Sequence, residues 1–330
     1  MNSRERVMCA LAGEQPDRVP FCEGSVDQAV ARELSGLERE MKEWEISHLL
    51  DRDVLVAVVF PPYFADREVG EDGQSYVTTG WIRTRGDLDK MAFPDPDDPA
   101  LYTDAREILD HRGDFAAAAA IKLGVAPTLI SMGLDGFSYA LADDPGLVHE
   151  VLRRYTEWQL VVIENLIDLG FDFLWSFDDL AYKSGPFCSL DTFREFLLPA
   201  LRQTAEAITI PWVFHSDGNI LPLLDDLLTL GMDGLHPLEP GPMDLGQVKR
   251  AYGDRVCLIG NVSVDALSTA EPREIEAIVR DCLKAAGEGG GYMVSSSNSI
   301  PDYARAENVR ALAQAIQAYG EYPLFSSGKA

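Results

Sequence analysis

The sequence predicts an α/β protein of (β/α)8 TIM-barrel type, carrying a β-hairpin insertion near residues 66–86. Short apolar or β-branched runs alternate with longer amphipathic stretches from one end of the 330-residue chain to the other. About eight such runs can be read as strands. The chain is somewhat longer than the ~250 residues of a usual barrel, which leaves room for an insertion. An open doubly wound sheet is the other architecture with this alternation, and the strand number favours the barrel.

Strands are expected at 19–24 (VPFCEG), 53–60 (DVLVAVVF), 118–125 (AAAIKLGV), 171–177 (FDFLWSF), 211–217 (PWVFHSD), 233–239 (DGLHPLE), 256–262 (VCLIGNV) and 291–297 (GYMVSSS). The stretches 144–170, 190–208, 220–231 and 272–289 space apolar residues three and four apart, and several end in Gly, so they read as helices. Between the second and third strands, 66–86 alternates polar and apolar residues around Gly73-Gln74-Ser75 and reads as an antiparallel hairpin. The Pro- and Asp-rich loop that follows does not divide the chain, because the alternation resumes after it. Residues 1–330 are therefore read as a single domain.

Composition is that of a globular protein, 46% hydrophobic and 25% charged, but the charge is lopsided. Fifty-four acidic against 28 basic side chains give a formal net charge of -26, and no basic stripe offsets it, so nucleic acid and anionic membranes are poor partners. Five cysteines without a CxxC pair suit free thiols in a reducing compartment, and no apolar run approaches a membrane span. A cytoplasmic location is expected.

In a barrel the reacting groups sit at the carboxyl ends of the strands. That rule selects Glu23, Asp178, Asp179, His215, Asp217, His236, Glu239, Asn261, Asp265, Ser295, Ser296, Ser297 and Asn298. His215 and Asp217 stand two apart at a strand end, so both can face one cation or substrate, and imidazole with carboxylate suits zinc. The plainer reading is that Asp217 orients His215 or caps the next helix. A third ligand is sought in Glu239, with His236 the other option, although His236 before Pro237 also reads as a turn residue. Asp178 and Asp179 repel, so one can serve as an acid, and Tyr182 or Lys183 can bind an anionic or phenolic group. Against this, Asp179 reads equally as a loop cap and Lys183 as a solvated charge. The glycine run at 287–291 precedes the last strand, at the wrong end for a barrel site, and is read as a turn. HExxH, GxSxG and P-loop signatures are absent.

The segments NSRERVMCALAGEQPDRVPF, DDLAYKSGPF with FREFLLPAL, VFHSDGNI, and GGGYMVSSSNSIP with ENVRALAQAI together resemble the uroporphyrinogen decarboxylase superfamily, over nearly the whole chain. The resemblance implies a (β/α)8 barrel and either decarboxylation or cobalamin-dependent methyl transfer. Decarboxylases of the superfamily carry an arginine-rich segment after the first strand, where this chain has PFCEGSVDQAVARE with Glu23. Zinc-dependent methyltransferases hold the metal with His-x-Cys after the fifth strand and a Cys after the last. This chain keeps His215 but has Asp217 and Asn298 at the Cys positions, a harder set suited to oxygen. HSDGN, IGNVSVD and SSSNSIP resemble most the corrinoid-dependent O-demethylase branch.

What the resemblance implies is a methyltransferase moving a methyl group from an O-methyl donor, an aromatic methyl ether, to the cobalt of a corrinoid protein. The expected roles are Zn2+ on His215, Asp217 and Glu239, catalysis by His215, Asp217 and Asp178, and substrate contacts from Tyr182, Lys183, His236, Asn261 and Asn298. No cobalamin-binding DxHxxG segment occurs, so the corrinoid is expected on a partner protein, with a small-molecule methyl donor as the other partner and a homodimer as a further option. The alternatives are a metal-free decarboxylase or lyase of this fold, a methyltransferase using another donor, and a barrel that only binds a partner.

Overall fold

The computed structural model describes residues 1–70 and 75–325. In chain order the strands are β1 (Val54–Val58), β2 (Ala65–Val69), β3 (Ser75–Gly80), β4 (Ala116–Ile121), β5 (Phe173–Phe177), β6 (Ala181–Tyr182), β7 (Gly185–Pro186), β8 (Trp212–His215), β9 (Gly234–His236), β10 (Cys257–Ile259) and β11 (Tyr292–Met293). Seven of them form one parallel sheet in the order β1-β4-β5-β8-β9-β10-β11, and helices fill the crossovers. The longest, Pro145–Leu169, shows why: Asp144 caps its first turn at Leu147 N–H, Pro145 presets φ, and Gly170 ends it at φ 92°.

The run at 19–24, expected as the first strand, forms only an isolated parallel bridge, Phe21 with Val294. Pro20 has no N–H, and Phe21 N–H goes to the Asp53 carboxylate at 2.9 Å instead of to a neighbouring carbonyl, so no ladder builds. The segment nevertheless touches both sheet edges. Cys22 N–H donates to Val294 O, and Asp53 N–H donates to Phe21 O, each at 2.9 Å. The result is TIM-barrel-like.

β2 and β3 pair antiparallel, with an irregularity between Asp66 and Arg67. Gly73 and Gln74 of the expected turn lie outside the described residues. The stretches expected as plain helices at 190–208 and 272–289 each contain a π-helical turn, Phe193–Leu197 and Leu283–Gly287. Among the described residues no helix is long and apolar enough to cross a membrane.

Alternation along the strands divides the core in two. Val54, Val56, Ala116, Ala118, Ala120, Phe173, Trp175, Val213, Cys257, Ile259 and Met293 face inward and share a cluster with Val7, Ala10 and Leu11 of the first helix. The intervening residues, such as Leu55, Ala117, Leu174 and Phe214, pack outward on the helices. Size is balanced across the register, with Ala118 beside Phe173 and Ala120 beside Trp175. Gly234 is needed where β9 enters this interior, since a Cβ there would stand 2.9 Å from Val213 Cγ2.

Candidate metal centre

Continuing the inward alternation past the ends of the strands places Lys122 after β4, Phe177 at the end of β5 with Asp179 beyond it, His215 at the end of β8 with Asp217 beyond it, and His236 at the end of β9 around one mouth. His215 is 3% exposed, and its Nε2 lies 3.5 Å from Asp179 Oδ1 and 3.6 Å from Asp217 Oδ1. The donor atoms of these three residues all fall within 4.8 Å of one another. A tetrahedral zinc with bonds of about 2.0–2.1 Å separates its donors by about 3.3–3.4 Å, close to the two distances from His215 Nε2. Asp217 Oδ1 is buried without a hydrogen-bond partner, as an oxygen reserved for a cation would be. Its other oxygen accepts from Asn298 Nδ2 at 2.5 Å.

The hydrogen-bond chain behind His215 fixes its tautomer. Ser295 Oγ donates to Ser296 O at 2.7 Å, so it accepts from His236 Nε2–H at 3.1 Å. Burial, and then the nearness of His215, hold the His236 pKa well below its ordinary value, so the ring is neutral and its Nδ1 carries a lone pair. That lone pair accepts from His215 Nδ1–H at 2.6 Å. With Nδ1–H committed to His236, His215 Nε2 faces the two carboxylates, an arrangement that is repulsive unless a proton or a metal cation lies between them. Trp175 packs edge-on against His236 at 4.9 Å and Phe177 tilts over His215 at 4.6 Å, so both rings are fixed by the interior.

The two adjacent acids after β5 separate. Asp178 is fully buried and accepts Leu123 N–H and Ala126 N–H at 2.5 and 2.8 Å; burial pushes its pKa up to about 6. It anchors a backbone turn rather than facing the mouth. Asp179 accepts Asp217 N–H at 3.0 Å, and although burial opposes it, His215 and this N–H hold its carboxyl well below the usual range. Burial raises Asp217 to about 6, with Asp179 and Glu239 adding to it against the opposing pull of His215.

Glu239 stands apart from the converging donors. Its Oε2 accepts Gly218 N–H at 2.9 Å and its Oε1 pairs with Lys183 Nζ at 3.2 Å. Leu238 has φ 56°, so strand alternation does not carry on to Glu239. Gly218 itself has φ 80°, and a Cβ there would meet Ala181 O at 2.5 Å. Tyr182 is half-exposed against Phe187, and Asn261 Nδ2 donates to Leu238 O at 2.6 Å. Asp217, Lys183, Glu239, Asp265 and Asn298 line a polar cleft of about 280 Å³. Asp179 lines a second, more apolar pocket of about 400 Å³, with Val77 of β3, Leu129 and Phe187. The histidine and its two acids thus stand between the two.

Across the mouth, Glu23 is fully buried. It accepts Ser296 N–H and Oγ–H at 2.8 and 3.0 Å, and burial pushes its pKa up to about 7. A folded-state pKa above the unfolded value means that the folded chain holds this proton more tightly. The stabilisation is complete below about pH 4.5 and is lost as the pH rises through 7. Urea unfolding should show Glu23→Gln gaining about 2–3 kcal/mol on the parent between pH 4.5 and 8. A pH-independent difference would show that Glu23 is ionised throughout.

The family pattern for uroporphyrinogen decarboxylase (URO-D) matches residues 66–319. A uroporphyrinogen decarboxylase of Pelodictyon phaeoclathratiforme is 27% identical over 254 residues, covering 72% of this chain and 70% of its own. The methylcobamide:CoM methyltransferase MtaA of Methanosarcina barkeri is 30% identical over 173 residues, 52% of this chain and 49% of its own. Among solved structures, a methyltransferase from Methanosarcina mazei superposes with a TM-score of 0.77 at 21% identity over 97% of this chain and 99% of that one. With more than half its length matched by one family and the same fold in a methyltransferase, this chain belongs to the uroporphyrinogen decarboxylase (URO-D) family.

Proposed function

We propose that the protein is a single-domain, closed (β/α)8-barrel methyltransferase of the cytoplasm. It takes a methyl group from an O-methyl donor, an aromatic methyl ether, and passes it to the cobalt of a corrinoid protein. The observation that carries this reading is His215 Nε2 facing Asp179 and the unpartnered Asp217 Oδ1. These three residues would hold Zn2+, with Asp179 in the place first sought for Glu239. Bound there, the ion would supply a Lewis acid for the oxygen that loses its methyl group. One imidazole and two carboxylates make a harder site than thiolates do, which favours an oxygen over a sulfur. His236 and Ser295 keep His215 in the metal-binding tautomer, and Asn298 fixes Asp217. Lys183 and Glu239 shape the polar cleft beside them. Support from relatives comes from MtaA and the Methanosarcina mazei methyltransferase.

The decarboxylase relatives favour a second reading, a metal-free decarboxylase of a polycarboxylate. The cleft speaks against it, since Asp217, Glu239 and Asp265 line it and Lys183 is already paired. The test is to mix zinc-loaded protein with a reduced corrinoid protein and methoxylated aromatics, methylamines or methanethiol in turn, following cobalt methylation by absorbance. Aromatic ethers should react, and chelation of the metal should stop them. Reaction with thiols or amines alone, or undiminished turnover without metal, would overturn the reading.

A further inference from the structure

The apolar pocket beside Asp179 is a product of the hairpin insertion. The segments that lead into β2 and out of β3 are pinned to the helix Val125–Met132: Ile82 N–H donates to Ser131 O at 2.9 Å, and Ser131 Oγ accepts Phe64 N–H at 3.0 Å. At the end of β3 a Cβ on Gly80 would stand 2.5 Å from Gly133 N, so a residue without a side chain lets the strand come this near. The hairpin is thereby held as a fixed wall. The space it helps to enclose, about 400 Å³, lies within the range of small-molecule sites.

The lining decides what chemistry fits. Val77, Leu129, Ile130, Leu134 and Phe187 present apolar surface. Of the charged members, Arg83 and Asp135 cancel each other, 2.7 Å apart. The third is Asp179, partly exposed, whose Oδ1 faces His215 Nε2, so the pocket opens on the metal centre through this one residue. Tyr182 packs edge-on against Phe187 at 4.5 Å and stiffens that wall. Val77 and Leu134 keep 40% and 41% of their surface open, apolar area that an occupant would take out of water.

We propose that this pocket grips the uncharged apolar ring of the methyl donor, and that Val77 of the hairpin and Leu134 are the residues that select it. The donor is then held off the barrel axis, between β3 and the helices Val125–Met132 and Leu134–Asp143, with its oxygen at the Asp179 end. That the occupant is a methyl donor rests on the reading above, whereas the presence of an apolar ring site does not.

Toluene and methoxybenzene are the probes, titrated calorimetrically against the protein with and without zinc. Toluene has no oxygen to offer a metal, so both should bind saturably in either state. Val77→Asp and Leu134→Asp lie at exposed positions, where substitution costs little stability. Asp at 77 also faces Arg67 across the hairpin, which favours the strand pairing. Each variant should weaken both ligands by about 10-fold or more with zinc content unchanged, and Val77→Leu should bind as the parent does. In turnover, Val77→Asp should raise KM for an aryl methyl ether and leave KM for the corrinoid protein where it was. Undiminished toluene binding in both charged variants, or no saturable binding by the parent, would overturn the proposal. Toluene binding that depends on Val77 and Leu134, in a protein that methylates no cobalt, would leave the ring site standing and remove the methyl-transfer reading instead.

Discussion

His215→Ala is expected to release the metal and to lower methyl transfer on the order of 10³-fold or more, because the stabilisation of the departing oxygen is worth several kcal/mol. The imidazole supplies the only nitrogen of the three converging donors, and Asp179 and Asp217 alone cannot complete a site without drawing together two like charges. Metal analysis after dialysis should find one zinc per chain in the parent and none in the variant, while circular dichroism stays unchanged. His236→Leu removes the acceptor that fixes the His215 tautomer without touching the metal. It should weaken zinc affinity by about 10- to 100-fold in competition with a chelator. Full zinc occupancy and full transfer in His215→Ala would sink the metal centre altogether.

Trp175→Ala should cost about 3–5 kcal/mol in urea unfolding, a large part of the roughly 5–15 kcal/mol that holds a domain folded. The indole is fully buried in the inner cluster beside Ala120, and no neighbour can swing in to fill the space it leaves. The loss should reach the metal centre as well, since the same ring packs on His236. Trp175→Phe deletes an indole N–H that is buried without a partner, so it should cost far less. A Trp175→Ala penalty below about 1 kcal/mol would mean that the interior is not close-packed around this ring.

The alternation of apolar runs and amphipathic stretches was enough to place seven of the eight expected strands, since each run is buried on both faces and carries few polar interruptions. The eighth escaped because its decisive interaction is long-range: the Asp53 carboxylate, from a later segment, takes Phe21 N–H. His215 and Asp217 were legible as an i, i+2 pair at a strand end. Asp179 was legible too, had the period been followed, because Phe173, Trp175 and Phe177 face inward and Asp179 is next in that series while Asp178 is not. The same count from Ala116, Ala118 and Ala120 leads to Lys122. Glu239 misled because Leu238, at positive φ, breaks the series that would have aimed it inward. The π turns in two helices left no mark in the residue spacing.

The grip of Asp178 on Leu123 N–H and Ala126 N–H has a kinetic consequence. Lys122 and Asp179 each adjoin one side of this knot, so their positions are settled by the backbone and not by whatever arrives. A visitor meets a finished surface, and its capture rate should follow encounter frequency, ionic strength and its own charge, with little delay for rearrangement. Differences among visitors should then appear mainly in how long each one stays.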